Sequence, residues 1–160
     1  MAHFMRVLTK TTQAPTLPVL VETLEQAGFA FTTFPDPDDE RYTAPDWSKL
    51  HLAYDERSHS LMLDRSLRGQ AEGELEEDVE EFLEQLQAVQ TDDAVKKQIT
   101  DLLNESQQIF ACYIPDDILE DGWNLVEALM EQLLDATGGT LQVDGEGFFD
   151  AEGELLLEME

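Results

Sequence analysis

The stretch Glu72–Gln90, EGELEEDVEEFLEQLQAVQ, constrains the fold of this chain more than any other. Leu75, Val79, Phe82, Leu83, Leu86 and Val89 recur at steps of 4, 3, 1, 3 and 3. That period is close to 3.6, so these residues form one apolar stripe of an α-helix. Eight acidic residues lie between Glu72 and Glu84 with no base among them. One face of the helix therefore needs a core, and the other must stay in water or meet a cation.

The flanking segments alternate between strand and helix patterns. His3–Lys10 reads as a strand, and Leu17, Leu20, Val21 and Leu24 mark a helix from about residue 17 to 27. Pro18 fits its first turn and Gly28 its end. Phe29–Phe34 is aromatic and β-branched, as strands are. The run Pro35–Glu40 then breaks regular structure, and the expected loop reaches about Trp47. Lys49–Arg65 reads as a hairpin around Asp55–Ser60, with Leu50, Leu52, Tyr54, Leu61 and Leu63 on its apolar positions. A second helix follows the acidic one, with Thr91 as its cap and Val95, Ile99, Leu102 and Leu103 as its stripe.

Gln108–Ile114 is the next strand, ended by Pro115. Asp116-Asp117 is the expected cap of a long helix over about 117–136, with Leu119, Trp123, Val126, Leu129, Met130, Leu133 and Leu134 inward. Thr140–Val143 and a closing hairpin over Gly147–Phe149 and Glu154–Leu157 complete the chain.

The residues from about 3 to 66 and from about 108 to 159 share the order strand, helix, strand, hairpin. Their helices share Leu20-Val21-Glu22-Thr23-Leu24 against Leu125-Val126-Glu127-Ala128-Leu129. A duplicated β-α-β-β-β unit joined by the helical pair 72–105 is one reading of that echo. The expected fold is α+β, a single domain over 1–160. It has a largely antiparallel sheet, with the helices at 17–27 and 117–136 on one face and the 72–105 pair crossing between the halves.

Charge bounds the function. The formal net charge is −27, of which residues 1–70 carry −3 and residues 71–160 carry −24. Such a field repels nucleic acid and anionic lipid, so direct DNA or RNA binding and membrane association are not expected. No apolar run is long enough to span a bilayer, and the N-terminus lacks a signal-peptide pattern. One cysteine, Cys112, forms no internal disulfide, and a cytoplasmic location is expected.

No motif specifies a reaction, and no cofactor or metal is called for. GxGxxG, GxxxxGK[ST], HExxH, CxxC and GxSxG are absent, and the EF-hand spacing fails after Asp150, where Leu155 stands at the glycine position. His51 and His59 fall on opposite arms of the hairpin and could face one another near Asp55. An exposed polar hairpin face is the favoured reading of them. Asp36, Asp38, Asp39 and Glu40 read as a solvated Pro-Asp turn before a cation loop. Cys112 and Trp123 read as core. Trp47 reads either as core or as an exposed interface anchor.

The function these features favour is a non-enzymatic interaction protein engaging a basic protein through Glu76, Glu77, Glu80, Glu81 and Glu84. Inhibitor, chaperone-like and nucleic-acid-mimic roles all fit. Eight acids over thirteen helical residues give about one charge per 2.4 Å, against about 1.7 Å along duplex DNA. The charge can also serve solubility alone. The alternative is a small ligand-binding domain or enzyme with a cleft between sheet and helices, near Arg6, Arg41, Arg57, Arg65 and Arg68. An open sheet edge after the closing hairpin also allows a homodimer.

Overall fold

The computed structural model describes residues 3–159. In chain order it contains β1 (His3–Thr9), α1 (Leu17–Gln26), β2 (Thr32–Phe34), α2 (Glu40–Thr43), β3 (Lys49–Ala53) and β4 (Leu61–Leu67). There follow α3 (Glu74–Ala88), α4 (Asp93–Glu105), β5 (Gln108–Ile114), α5 (Glu120–Thr137), β6 (Thr140–Val143), β7 (Gly147–Phe149) and β8 (Leu155–Glu158). All eight strands join one antiparallel sheet in the order β2-β3-β4-β5-β1-β6-β7-β8. The architecture is α+β.

Alternation along the central strands feeds two separate cores. Val7, Phe110, Cys112 and Ile114 point to one face, where Leu17, Leu20 and Leu24 of α1 and Leu125, Val126, Leu129 and Leu133 of α5 cover them. Leu8, Ile109, Phe148 and Leu157 point to the other, under Leu75, Val79, Phe82 and Leu86 of α3 and Ile99 and Leu103 of α4. Helices α1 and α5 share a face, as their stripes require. The α3–α4 pair, expected to cross between halves, instead forms a layer on the opposite face. The reason lies in β1 and β5, whose apolar residues occupy both parities and so demand cover on both sides.

Apart from the single-turn α2 between β2 and β3, the element order β-α-β-β-β occurs before and after the helical pair, but the halves enter the sheet differently. Outward from the central β5–β1 pair, the first half runs β4, β3, β2 and the second runs β6, β7, β8.

Local chemistry explains where boundaries depart from the pattern. Gly28 takes φ +100°, and the N–H groups of Gly28 and Phe29 donate to the carbonyls of Glu25 and Leu24. That Schellman closure uses Phe29 to finish α1, so the strand expected from Phe29 starts only at Thr32. In the expected loop before Trp47, Asp39 caps the single turn of α2 by accepting from Arg41 N at 2.9 Å. The α4 cap position is Asp92 and not Thr91.

Helix α5 begins at Glu120, three residues later than expected, because Asp117 does not cap it. Asp117 instead accepts from His59 N at 3.1 Å and Ser58 Oγ at 3.2 Å, and pairs with His59 Nδ1 at 2.8 Å. This ties the β3–β4 loop to the start of α5. Tyr54 Oη adds to the junction by accepting from Leu119 N at 3.0 Å. Gly122 sits against the Tyr54 ring, where a Cβ would collide. Trp123, expected inside, is 39% exposed, with its ring centroid 6.3 Å from that of His3 in a T-shaped arrangement. The inward arc of α5 starts at Gly122 and Leu125, which turns Trp123 to the rim.

Candidate functional site

The anionic face of α3 follows from how its stripe is buried. Leu75, Val79, Phe82 and Leu86 are buried, while Glu77, Glu80, Glu81 and Glu84 are exposed. Glu76 and Asp78 leave that group. Glu76 Oε2 accepts from Gly69 N at 3.2 Å, which closes the turn before the helix. Asp78 is half-buried toward Arg6, whose Nε lies 3.8 Å from Asp78 Oδ2. The five glutamates expected to form one face therefore divide into four solvent-facing carboxylates and one that holds the chain entry.

Burial pushes the Asp78 carboxyl above its ordinary value, and Arg6 opposes this while Glu81, Glu74 and Glu77 reinforce it. Arg6 lies between the Phe4 and Phe82 rings, 4.8 and 5.2 Å from their centroids. Its Nη1 donates to Gln142 Oε1 at 2.8 Å and Asp144 Oδ1 at 2.9 Å. Arg6 is thus shared between Asp78 of the acidic helix and the sheet.

The other bases are committed too. Arg41 chelates Asp39, and Arg57 chelates Asp55; the side-chain hydrogen bonds hold both carboxyls at about 2. Lys10 meets Glu105, Lys49 meets Asp64 and Lys97 meets Asp101. Arg68 donates to the carbonyls of Leu103, Asn104 and Ser106 at the end of α4. Among the described residues, Lys96 alone of the nine bases has no partner. Glu77, Glu80 and Glu84 form no ion pair with a cation among the described residues.

Arg65 is the most buried of these bases, with 8% exposure, and it forms no ion pair among the described residues. Its Nε donates to Gln108 Oε1 at 2.6 Å, and Nη1 and Nη2 donate to the carbonyls of Pro45, Trp47 and Thr12. Gln108 Nε2 extends the network to Thr9 Oγ1 and the carbonyls of Thr11 and Gln13. Trp47 belongs to the same assembly. It is 4% exposed, lies 5.9 Å from Phe110 and donates from Nε1 to Pro15 O at 2.9 Å. The ring is buried, as the core alternative for Trp47 expects, and the residue also lines a concavity on the rim.

The remaining candidates resolve individually. Cys112 is buried, and burial pushes its thiol up to about 12, so it supplies no thiolate. His51 stands opposite Met62 in the hairpin and 5.4 Å from the Phe34 ring, while His59 turns to Asp117. Asp55 belongs to Arg57 and not to the histidines. Among the described residues, no group of three histidine, cysteine or carboxylate side chains could hold a metal. Asp36 and Asp39 are used in capping their own turn.

Both sheet–helix spaces are filled by the two cores. A concavity of about 550 Å³ lies among Leu8, Thr9, Leu102, Ser106, Gly139 and Thr140, and three others lie on the rim. One of about 260 Å³ lies beside β2 among Phe34, Pro35, Arg41, Trp47 and Lys49. Another, of about 570 Å³, lies among His51, His59, Met62, Tyr113 and Asp117. A third, of about 610 Å³, runs between the α3–α4 link and β8. No described helix is long and apolar enough to cross a membrane. Comparison with protein-family models, curated proteins and solved structures found no match.

Proposed function

We propose that the protein is a non-enzymatic cytoplasmic interaction protein that engages a basic partner through the outer face of α3. The observation that carries this reading is the commitment of the chain's own cations. Among the described residues, eight of the nine bases already have partners within this chain, while Glu77, Glu80, Glu81 and Glu84 stand in solvent. Lys96 is the one base left over against these four carboxylates, so most of their countercharge comes from outside. A rigid helix anchored by four buried residues presents these carboxylates in fixed order, as steered association requires. A free, buried Cys112 suits a reducing compartment. Inhibition of a basic protein, escort of one, and occupation of a nucleic-acid-binding cleft all use this chemistry.

The test compares wild type with the fourfold variant Glu77→Gln, Glu80→Gln, Glu81→Gln, Glu84→Gln in capture from host lysate. Wild type is expected to retain a protein rich in lysine and arginine and to release it between about 0.1 and 0.5 M salt, as the Debye length contracts. The variant should fold normally and lose that protein. Equal capture by both, or capture indifferent to salt, removes α3 as the binding face.

A further inference from the structure

We propose that the free edge of β8 takes an extended segment of a basic protein as a ninth strand. Among the described residues the sheet ends at β8, which pairs only with β7. Met159 N donates to Glu146 O at 3.1 Å, which fixes the pairing side of the adjacent residues. In an antiparallel ladder the next residue faces the opposite way, so the N–H and C=O of Glu158 point away from β7. Such an edge is a template for strand addition unless something covers it.

Its surroundings suit a particular guest. Beside the edge runs the rim groove bounded by Val89, Gln90, Thr91 and Leu155–Met159. Leu155 is 54% exposed at its mouth, the highest exposure among the large apolar residues described. No base lines the groove, and exposed acids adjoin both walls in sequence: Asp92 and Asp93 after Thr91, Glu152 and Glu154 before Leu155. Glu158 is exposed on the strand itself. An incoming strand needs apolar side chains for Leu155 and the groove, and cationic ones for the carboxylates.

The same charges argue against a second copy of this chain. Antiparallel pairing of β8 with itself would set Glu154 and Glu158 among their equivalents, and like charges across a ladder are destabilising. Neutral or acidic strands gain only the backbone bonds. The hairpin geometry holds the edge ready, since Gly147 at φ +133° lacks the Cβ that would strike Leu157 O and part β7 from β8. This inference rests on the partner being basic, and not on α3 being its binding face.

The test uses the whole chain at low ionic strength and a short peptide of alternating lysine and valine. Its counterpart carries the same charges but is N-methylated at successive central amides, which blocks both of its edges. The unmodified peptide is expected to bind about tenfold more tightly than the methylated one. It should also slow hydrogen exchange at the Glu158 amide, and Leu155→Ser should weaken it without disturbing the fold. The fourfold glutamine variant of α3 should leave the ratio between the two peptides unchanged. Equal, salt-sensitive binding of both peptides overturns the β8 site while leaving the basic-partner reading intact. Absence of binding by either peptide overturns both. A dimer that protects the Glu158 amide without peptide overturns the inference in favour of self-association.

Discussion

At the scale of single residues, Arg65 shows how a cation can be structural without a counter-ion. Its guanidinium joins the loop after β1 to the loop before β3 by donating to three carbonyls and Gln108. Burial lowers its proton affinity and Asp46 raises it, yet an arginine remains charged under these conditions. Removing it leaves buried carbonyls without donors, so Arg65→Leu should destabilise by about 3 kcal/mol in urea titration. Arg65→Lys should recover less than half, because one ammonium cannot span sites that a planar fork reaches together. A near-neutral Arg65→Leu would mean that these loops hold without the network. Cys112 gives a second test at this scale. With its thiol pushed up to about 12 and its side chain enclosed, it should react with a disulfide reagent at pH about 8 only as the protein unfolds. Reaction at the rate of a free thiol in the native protein would contradict that burial.

At the scale of elements, the legible parts were those whose own side chains decide their state. The stripe of α3 named its buried residues, and β5 began and ended where its apolar run does. Elements settled by distant partners were less legible. Asp117 has the sequence context of a helix cap, but His59 and Ser58, nearly sixty residues earlier, claim its oxygens. Trp123 belongs by composition to a core that Gly122 turns away from it. The five-glutamate face was legible as charge, whereas the inward turn of Glu76 depended on Gly69 and was not. The placement of α3 yields a pH prediction. Asp78 has a folded-state value raised above the ordinary 3.8, chiefly by burial. Between those values the native protein holds more protons than the unfolded chain, so stability from this group falls as pH rises through the window. It is greatest below the ordinary value. Asp78→Asn should therefore flatten the stability curve over the acid range just above that ordinary value, relative to wild type in parallel urea titrations. An unchanged slope would show that Asp78 ionises as it does in the unfolded chain.

At the scale of the whole molecule, the fold holds a charge of −27 with eight bases committed to local junctions. Ion pairs such as Lys10–Glu105 and Lys97–Asp101 are exposed, so each contributes little. Two hydrophobic cores on opposite faces of one sheet carry the stability, and the acidic residues act against it through long-range repulsion. Salt screens that repulsion over its Debye length while scarcely affecting the cores. Raising monovalent salt from about 0.01 to 0.5 M should then stabilise by about 1 kcal/mol and raise Tm by about 2–4 °C. The fourfold glutamine variant of α3 separates repulsion from hidden support. If Glu77, Glu80, Glu81 and Glu84 meet only solvent, their neutralisation should raise Tm at low salt and make the salt response shallower. If cations of this chain pair with them in solution, the variant should melt lower than wild type at low salt. A calorimetric series across ionic strength distinguishes the two, and only the first leaves those carboxylates available to a partner.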